Sequence, residues 1–320
     1  MQSGRIVLTA PINPSAVDLL GQVAAVELSP SPDEQTLLGL LENTVGLVAR
    51  GEGRVSRKVI AACPSLRVIG RPGAGYDTVD IPAATERKIP VVYAPVGGFA
   101  VAEGALALLL AMVKQLPACD RYVKGNQWHK RYEFATGDMA GHTLGIVGLG
   151  RIGSHLAKLA QPFEMTVLGY DPMIPSDAAR LMGVELVAFE DLLSRSEYVS
   201  LHVPLTPETR GLISRETIAR MKRGAILVNT SRGDVVEHLD CLAEGLESGQ
   251  LGAVGLDVFP AEPPDVSHRI FRHPNCLCSP HVVGASVLSM ERICQTMARG
   301  MIDVLQGRTP PFCVNPEVLP

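Results

Sequence analysis

The chain lacks any run of lysine or arginine and has no basic tail. Its 29 Lys+Arg against 33 Asp+Glu leave a formal net charge of −4, so nucleic-acid phosphates and anionic membrane surfaces have little to attract them. A long hydrophobic run is also missing. The longest, VAEGALALLLAMV at 101–113, contains Glu103 and falls well short of the ~20 residues that span a bilayer. RIVLTAP near the start is too short for a secretory signal and reads as a first strand ending in a turn. The seven cysteines, an odd number, include no C-x-x-C pair. Free thiols in a reduced, cytoplasmic compartment are expected. No short-period repeat and no low-complexity linker is visible.

What is present is core material. With 320 residues, 46% hydrophobic and 19% charged, the chain can bury a large interior in roughly two domains. Short β-branched runs alternate with helical patterns: RIVLTA, a helix near 14–22, VGLVA at 45–49, LRVIGR at 66–71 and PVVYA at 90–94. This predicts α/β layering around parallel strands buried on both faces. One long helix is predicted over 99–117, ending at Pro117. A second series follows: HTLGIVG at 142–148, MTVLGY at 165–170, YVSLHV at 198–203, AILVNT at 225–230 and GAVGLDVF at 252–259. A last helix covers 286–306, and its spacing assigns it to neither half.

TLGIVGLGRIGSHLAKLA places Gly148, Gly150 and Gly153 as G-x-G-x-x-G between an apolar strand and an amphipathic helix. By itself the pattern is only a glycine turn. In this context Gly148 permits the tight turn, Gly150 lets backbone approach a pyrophosphate, and Gly153 allows close helix–strand packing. The anion would sit at the helix N-terminus near Arg151. Asp171 ends the next strand, 18 residues beyond Gly153, where an acid accepts hydrogen bonds from ribose hydroxyls. It would repel a 2′-phosphate, and no Lys or Arg follows until Arg180. NAD is therefore the expected cofactor, rather than NADP.

Arg232 follows the strand AILVNT, Glu262 lies in the proline-bounded turn PAEPP after GAVGLDVF, and His281 follows NCLCSP. The three are spaced by 30 and 19 residues. Strand ends of one sheet can converge on one edge, near the nicotinamide of a bound dinucleotide. Reducing a 2-keto acid needs a hydride and a proton. Histidine suits proton transfer in both directions. A buried glutamate beside it favours the imidazolium and fixes the ring. An arginine grips the substrate carboxylate and polarises the carbonyl.

GLGRIG, the YDP acid, HVPLTPETRGL, VNTSRGDVV, GLDVFPAEPP and SPHVVGAS, in that order, resemble the D-isomer-specific 2-hydroxyacid dehydrogenases over about residues 45 to 315. The phosphoglycerate dehydrogenase branch is the most similar. The resemblance implies a Rossmann NAD-binding domain at 99–286, inserted in a flavodoxin-like substrate domain of 1–98 and 287–320, both doubly wound parallel sheets. It implies that Arg232 binds substrate, Glu262 supports the histidine, and His281 is the acid/base. Asp257 would lie by the nicotinamide carboxamide, and Arg151 and Ile152 at the pyrophosphate. Val203 and Pro204 would line the adenosine side, Thr230 and Ser231 would flank Arg232 along the cofactor, and Gly284 would also face it. A homodimer formed through the cofactor domain is implied too. The chain ends shortly after its final helix, so the C-terminal regulatory domain of some phosphoglycerate dehydrogenases is not expected.

In RPGAGYDTVD, residues 71–80, two glycines flank Ala74, and their backbone N–H groups could form an anion-binding nest. The resemblance makes Ala74 and Gly75 candidates for the substrate carboxylate, and Arg71 for a second anionic group. Arg71 as a surface salt bridge is the plainer reading. Ala100 stands where the family often has a hydroxyl residue. Trp128, with His129, Lys130 and Arg131, marks either a substrate-side contact or packing. His268, His273, Cys276, Cys278 and His281 fall close together but match no strong zinc spacing, and no metal is expected. The leading reading is an NAD-dependent 2-hydroxyacid dehydrogenase with a second anion on its substrate. A glyoxylate or hydroxypyruvate reductase and a dinucleotide-sensing corepressor-like protein are the alternatives.

Overall fold

Each apolar run read above as a strand lies in one of two sheets in a computed structural model that describes residues 4–319. Two units result, Met1–Gly97 with Ser286–Pro320, and Gly98–Ala285. The first holds β1 (Arg5–Leu8), β2 (Ala25–Leu28), β3 (Thr44–Val48), β4 (Val68–Arg71) and β5 (Val91–Tyr93), in the order β2-β1-β3-β4-β5. That is the flavodoxin-like order. All pairs are parallel. Successive side chains alternate between two cores: Val7, Leu47 and Ile69 enter one, and Ile6, Leu8, Val48 and Val68 the other. This alternation is why the strands read as unbroken apolar runs. The helix Val287–Leu305 belongs to this unit and places Ile293, Cys294, Met297 and Met301 in the second core. The Ser286 hydroxyl caps it, accepting from Ser289 N–H at 3.2 Å.

The second unit contains β6 (Thr143–Val147), β7 (Thr166–Tyr170), β8 (Glu185–Leu186), β9 (Tyr198–Leu201), β10 (Ala225–Asn229), β11 (Leu251–Leu256) and β12 (Cys276–Cys278). Their order is β12-β11-β10-β9-β6-β7-β8, again all parallel. The chain starts at β6, winds outward through β7 and β8, and then returns beyond β6 to β9. The order therefore reverses between β6 and β9, where doubly wound sheets open a crevice at the strand C-termini.

Two expectations need correction. The helix predicted over 99–117 is two helices, Gly98–Val113 and Leu116–Lys124. Gln115 takes a left-handed conformation at φ 51° and ends the hydrogen-bonded ladder. Pro117 does not stop the first helix. It sits in the first turn of the second, where its missing N–H has no partner to lose. Strands β2 and β8 were not anticipated. Both are edge strands carrying an acid, Glu27 and Glu185, and β8 has only two residues, which removes the apolar signal that inner strands give. No single helix among the described residues is long and apolar enough to cross a membrane.

Candidate functional site

The glycine loop joins β6 to the helix Arg151–Ala160. Gly148 has φ +93°, a conformation that side chains disfavour, and a Cβ there would lie 2.6 Å from the His202 carbonyl oxygen. A Cβ on Gly153 would fall 1.9 Å from the Gly148 oxygen, so helix and strand meet only through hydrogen. Around Gly150 there is open space, and the helix that begins at Arg151 takes no side-chain cap. A backbone open at Gly150, at the start of a helix, fits a pyrophosphate. Ile152 packs into the core beneath.

Asp171 follows β7 and ties the loop together. One of its oxygens accepts Leu149 N–H at 2.8 Å, and the other accepts Met173 N–H at 2.9 Å. Each carboxylate oxygen has capacity for a further donor, such as a ribose hydroxyl. Val203 and Pro204 follow β9, with Val203 packed on the core. His202, which the sequence reading did not single out, hydrogen-bonds Ser200 Oγ at 2.9 Å. Burial pushes its pKa down to about 3, so it is neutral and has no role as a charge at physiological pH.

The strand ends β10, β11 and β12 lie side by side and carry Arg232, Glu262 and His281. Arg232 is positioned by a buried asparagine. Asn229 Oδ1 accepts Ser231 N–H at 3.0 Å and Ser231 Oγ–H at 2.7 Å, while its Nδ2 donates to the Arg232 carbonyl at 2.9 Å. Thr230 and Ser231 are themselves buried. Gly233 then presses on the next loop, since a Cβ there would lie 1.9 Å from Phe259 C. Asn229 and Gly233 were both missed. The available signal was an Asn beginning a polar N-T-S run after an apolar strand, the mark of an Asx turn.

His281 Nδ1 and Glu262 Oε2 are 2.8 Å apart. The other Glu262 oxygen accepts Phe259 N–H at 3.1 Å. Partial burial pushes the Glu262 carboxyl up, but the His281 hydrogen bond, the Phe259 N–H and the charges of His281 and Arg232 outweigh it and hold it below the usual carboxylate range. The glutamate expected to be buried is instead open. Its side chain is 38% exposed and that of His281 51%. His281 itself adopts φ 55°, a left-handed conformation that histidine tolerates better than most residues but which costs of order 1 kcal/mol.

Asp257 holds that conformation. It is 3% exposed, and its Oδ1 accepts Ser279 Oγ–H at 2.7 Å, Val282 N–H at 2.9 Å and Val283 N–H at 3.3 Å. The donors lie on both sides of His281, so one oxygen clamps the turn. Burial pushes the Asp257 carboxyl up despite these bonds. Ser279 was the missed partner. Gly284 lies just beyond, where a Cβ would meet Val101 Cγ2 at 2.6 Å.

In the first unit, Arg71 ends β4 and donates from Nη1 to the carbonyls of Ala49 at 3.4 Å and Pro72 at 3.2 Å. Ala74 and Gly75 lie in the loop that follows. Beside it, Tyr76, Tyr93 and Phe312 stack edge to face. In the second unit Ala100 is buried in the helix Gly98–Val113. Trp128 is exposed, and the Arg131 guanidinium lies over both it and Tyr132. Among the described residues no group of three or more His, Cys, Asp or Glu could hold a metal ion.

Residues 106–283 match the family model described as "D-isomer specific 2-hydroxyacid dehydrogenase, NAD binding domain". The chain is 38% identical over 319 residues to D-3-phosphoglycerate dehydrogenase of Methanocaldococcus jannaschii, covering 99% of this chain and 60% of that protein. It thus spans about three-fifths of the length of that relative. The crystal structure of a Thermus thermophilus protein superposes with a TM-score of 0.88 at 35% identity, covering 97% of this chain and 99% of that one. D-Lactate dehydrogenase of Aquifex aeolicus, complexed with NAD and lactic acid, gives a TM-score of 0.87 at 26% identity, covering 98% and 99%. The chain belongs to the D-isomer-specific 2-hydroxyacid dehydrogenase family and carries its NAD-binding domain.

Proposed function

We propose that the protein is an NAD-dependent D-2-hydroxyacid dehydrogenase, or 2-keto acid reductase, whose substrate carries a second anionic group and resembles 3-phosphoglycerate. The 2.8 Å contact between His281 Nδ1 and Glu262 Oε2 carries the reading. With Nδ1 engaged by a carboxylate, Nε2 is the nitrogen that exchanges a proton with substrate. NADH, when bound there, would supply the hydride. His281 gives its proton to the keto oxygen during reduction and takes it from the hydroxyl during oxidation. Glu262 holds the ring, and Arg232 binds the substrate carboxylate and polarises the carbonyl. Arg151, Ile152 and the three glycines take the pyrophosphate, and Asp171 takes the adenosine ribose. Asp257 and Gly284 face the nicotinamide side, Thr230 and Ser231 run along the cofactor, and Val203 and Pro204 line the adenosine.

Ala74 and Gly75 would bind the carboxylate of the substrate and Arg71 its second anion. The identity to D-3-phosphoglycerate dehydrogenase of M. jannaschii supports that substrate class. A second reading, a glyoxylate or hydroxypyruvate reductase, is favoured by one observation: Arg71 Nη1 is engaged with backbone carbonyls. The dimer is proposed to form through the NAD-binding unit. All seven cysteines are free thiols, which suits a reducing compartment such as the cytoplasm.

The test is NADH consumption by purified protein with phosphohydroxypyruvate and hydroxypyruvate at matched concentrations. Strong preference for the phosphorylated acid supports Arg71 as the second-anion residue. Preference for hydroxypyruvate favours the reductase, and turnover of no 2-keto acid overturns the enzymatic reading in favour of a dinucleotide sensor.

A further inference from the structure

Cys276 and Cys278 are the first and last residues of β12. Residues two apart in a strand project from the same face, and the two sulfur atoms lie 3.6 Å apart. Cys278 is exposed and Cys276 is half-buried against the core of the second unit. A disulfide requires the sulfurs to close to about 2.05 Å, with Cα atoms usually about 5.5–6 Å apart. Two residues of parallel strand span about 6.6 Å, and a disulfide brings the Cβ atoms to about 3.5–4.5 Å, so bridging would draw the two Cβ atoms together by roughly 2–3 Å and pucker the strand. β12 can accommodate that, because it is the last strand of its sheet and bonds only to β11. Puckering it breaks no ladder on its outer side.

The chemistry of the pair is asymmetric. The sulfur–sulfur hydrogen bond holds the Cys278 thiol below its ordinary value. The same bond, with burial, pushes Cys276 up. The exposed sulfur is the better nucleophile, since the thiolate is the reactive form. The consequence for the site follows from the chain. Ser279 comes directly after Cys278. It bonds through its N–H to the Leu256 carbonyl at 2.9 Å and through its hydroxyl to Asp257 Oδ1 at 2.7 Å. Its own carbonyl accepts His281 N–H at 3.1 Å. A pull on Cys278 therefore reaches the left-handed turn that presents the histidine.

We propose that Cys276 and Cys278 are a dithiol oxidised by hydroperoxides to an intrastrand disulfide, and that its closure displaces the Ser279–His281 turn and lowers turnover. The second half rests on the dehydrogenase reading given above. The Cys278 thiolate attacks the terminal oxygen of the peroxide, the O–O bond breaks, and a sulfenic acid forms as hydroxide leaves and is protonated to water. The Cys276 sulfur then attacks the sulfenic sulfur. The S–S bond forms, the S–O bond breaks, and a second water departs. With hydrogen peroxide, two thiols lose two protons and two electrons, and the peroxide becomes two waters.

The test treats the reduced full-length protein with hydrogen peroxide, blocks remaining thiols with a maleimide and measures both peptide masses and NADH-dependent turnover. The expected peptide holding both cysteines is lighter by two hydrogen masses, unlabelled, and restored by dithiothreitol. In parallel, kcat falls about tenfold or more, as roughly 1 Å displacements of catalytic groups do, and recovers with the reductant. Cys276→Ser and Cys278→Ser each retain turnover before and after peroxide. Labelling of both thiols after treatment, or a bridge to any other cysteine, overturns the site. A bridge with unchanged kcat, or equal inhibition of Cys276→Ser, overturns the coupling to turnover. If the reduced protein reduces no 2-keto acid, the dehydrogenase reading fails, while the mass of the peptide still decides the site.

Discussion

Replacing Asp257 by alanine and by asparagine separates two things that this residue does at once. Its Oδ1 takes three donors, at 2.7, 2.9 and 3.3 Å. Alanine leaves them without an acceptor. The Ser279 hydroxyl can rotate to another partner, but the two backbone N–H groups cannot, and each stranded donor costs about 1–3 kcal/mol. Relief of the buried charge offsets part of that, so the net loss is about 3 kcal/mol. Asparagine keeps an oxygen in the same place. It loses the charge assistance of the bonds but also the burial penalty, which is the dominant influence on the Asp257 carboxyl. The expected change is within about 1 kcal/mol. The sign with pH follows from the raised pKa. The folded state holds the proton more tightly, so the ionised carboxyl opposes folding increasingly as pH rises above the ordinary 3.8 toward the folded value. Asparagine's standing relative to the wild type therefore improves over that window. Urea unfolding of the three proteins measures this. Kinetics should show a loss of about 100-fold in kcat for alanine, through misplacement of His281. An asparagine variant as unstable as alanine would refute the reasoning, because the charge and not the acceptor would then hold the turn.

His281→Ala should lower kcat by about 10²–10⁴-fold while leaving NADH affinity, read by fluorescence titration, largely intact; turnover at the wild-type level removes His281 as the acid/base. Asp171→Ala should weaken NADH binding and relax discrimination against NADPH, measured as the ratio of kcat/KM for the two; an unchanged ratio moves the ribose contact elsewhere. Glu262 has a lowered pKa, so its stabilising contribution is present above the unfolded value near 4.5 and fades as pH falls through the folded one. The stability gap between wild type and Glu262→Gln should accordingly narrow below pH 4.5, and above that pH narrow with salt because the pair is exposed; a gap indifferent to both would mean that the charge of Glu262 contributes nothing to folding.

Periodicity and motif order alone determined much of this protein. Inner parallel strands are buried on both faces, so β1, β3, β6, β9, β10 and β11 announce themselves as apolar runs, and the glycine loop is legible because only glycine fits at 148 and 153. Local sequence also showed that an arginine, a glutamate and a histidine each follow a strand of the second series. Other features depended on neighbours that sequence spacing does not reveal. The break at Gln115 is a left-handed residue with no distinguishing side chain, and the edge strands β2 and β8 have no fully buried residue to pattern. The exposure of Glu262 and the three-donor clamp of Asp257 around His281 are long-range arrangements, whereas the Asn229 turn before Arg232 is local and was legible. The 3.6 Å approach of the Cys276 and Cys278 sulfurs is local, but it depends on that segment being a strand, which places both on one face. Hydrophobic pattern is a property of each segment by itself, whereas a buried acceptor acquires its donors only when distant strand ends are brought side by side. That juxtaposition is what the tertiary structure decided.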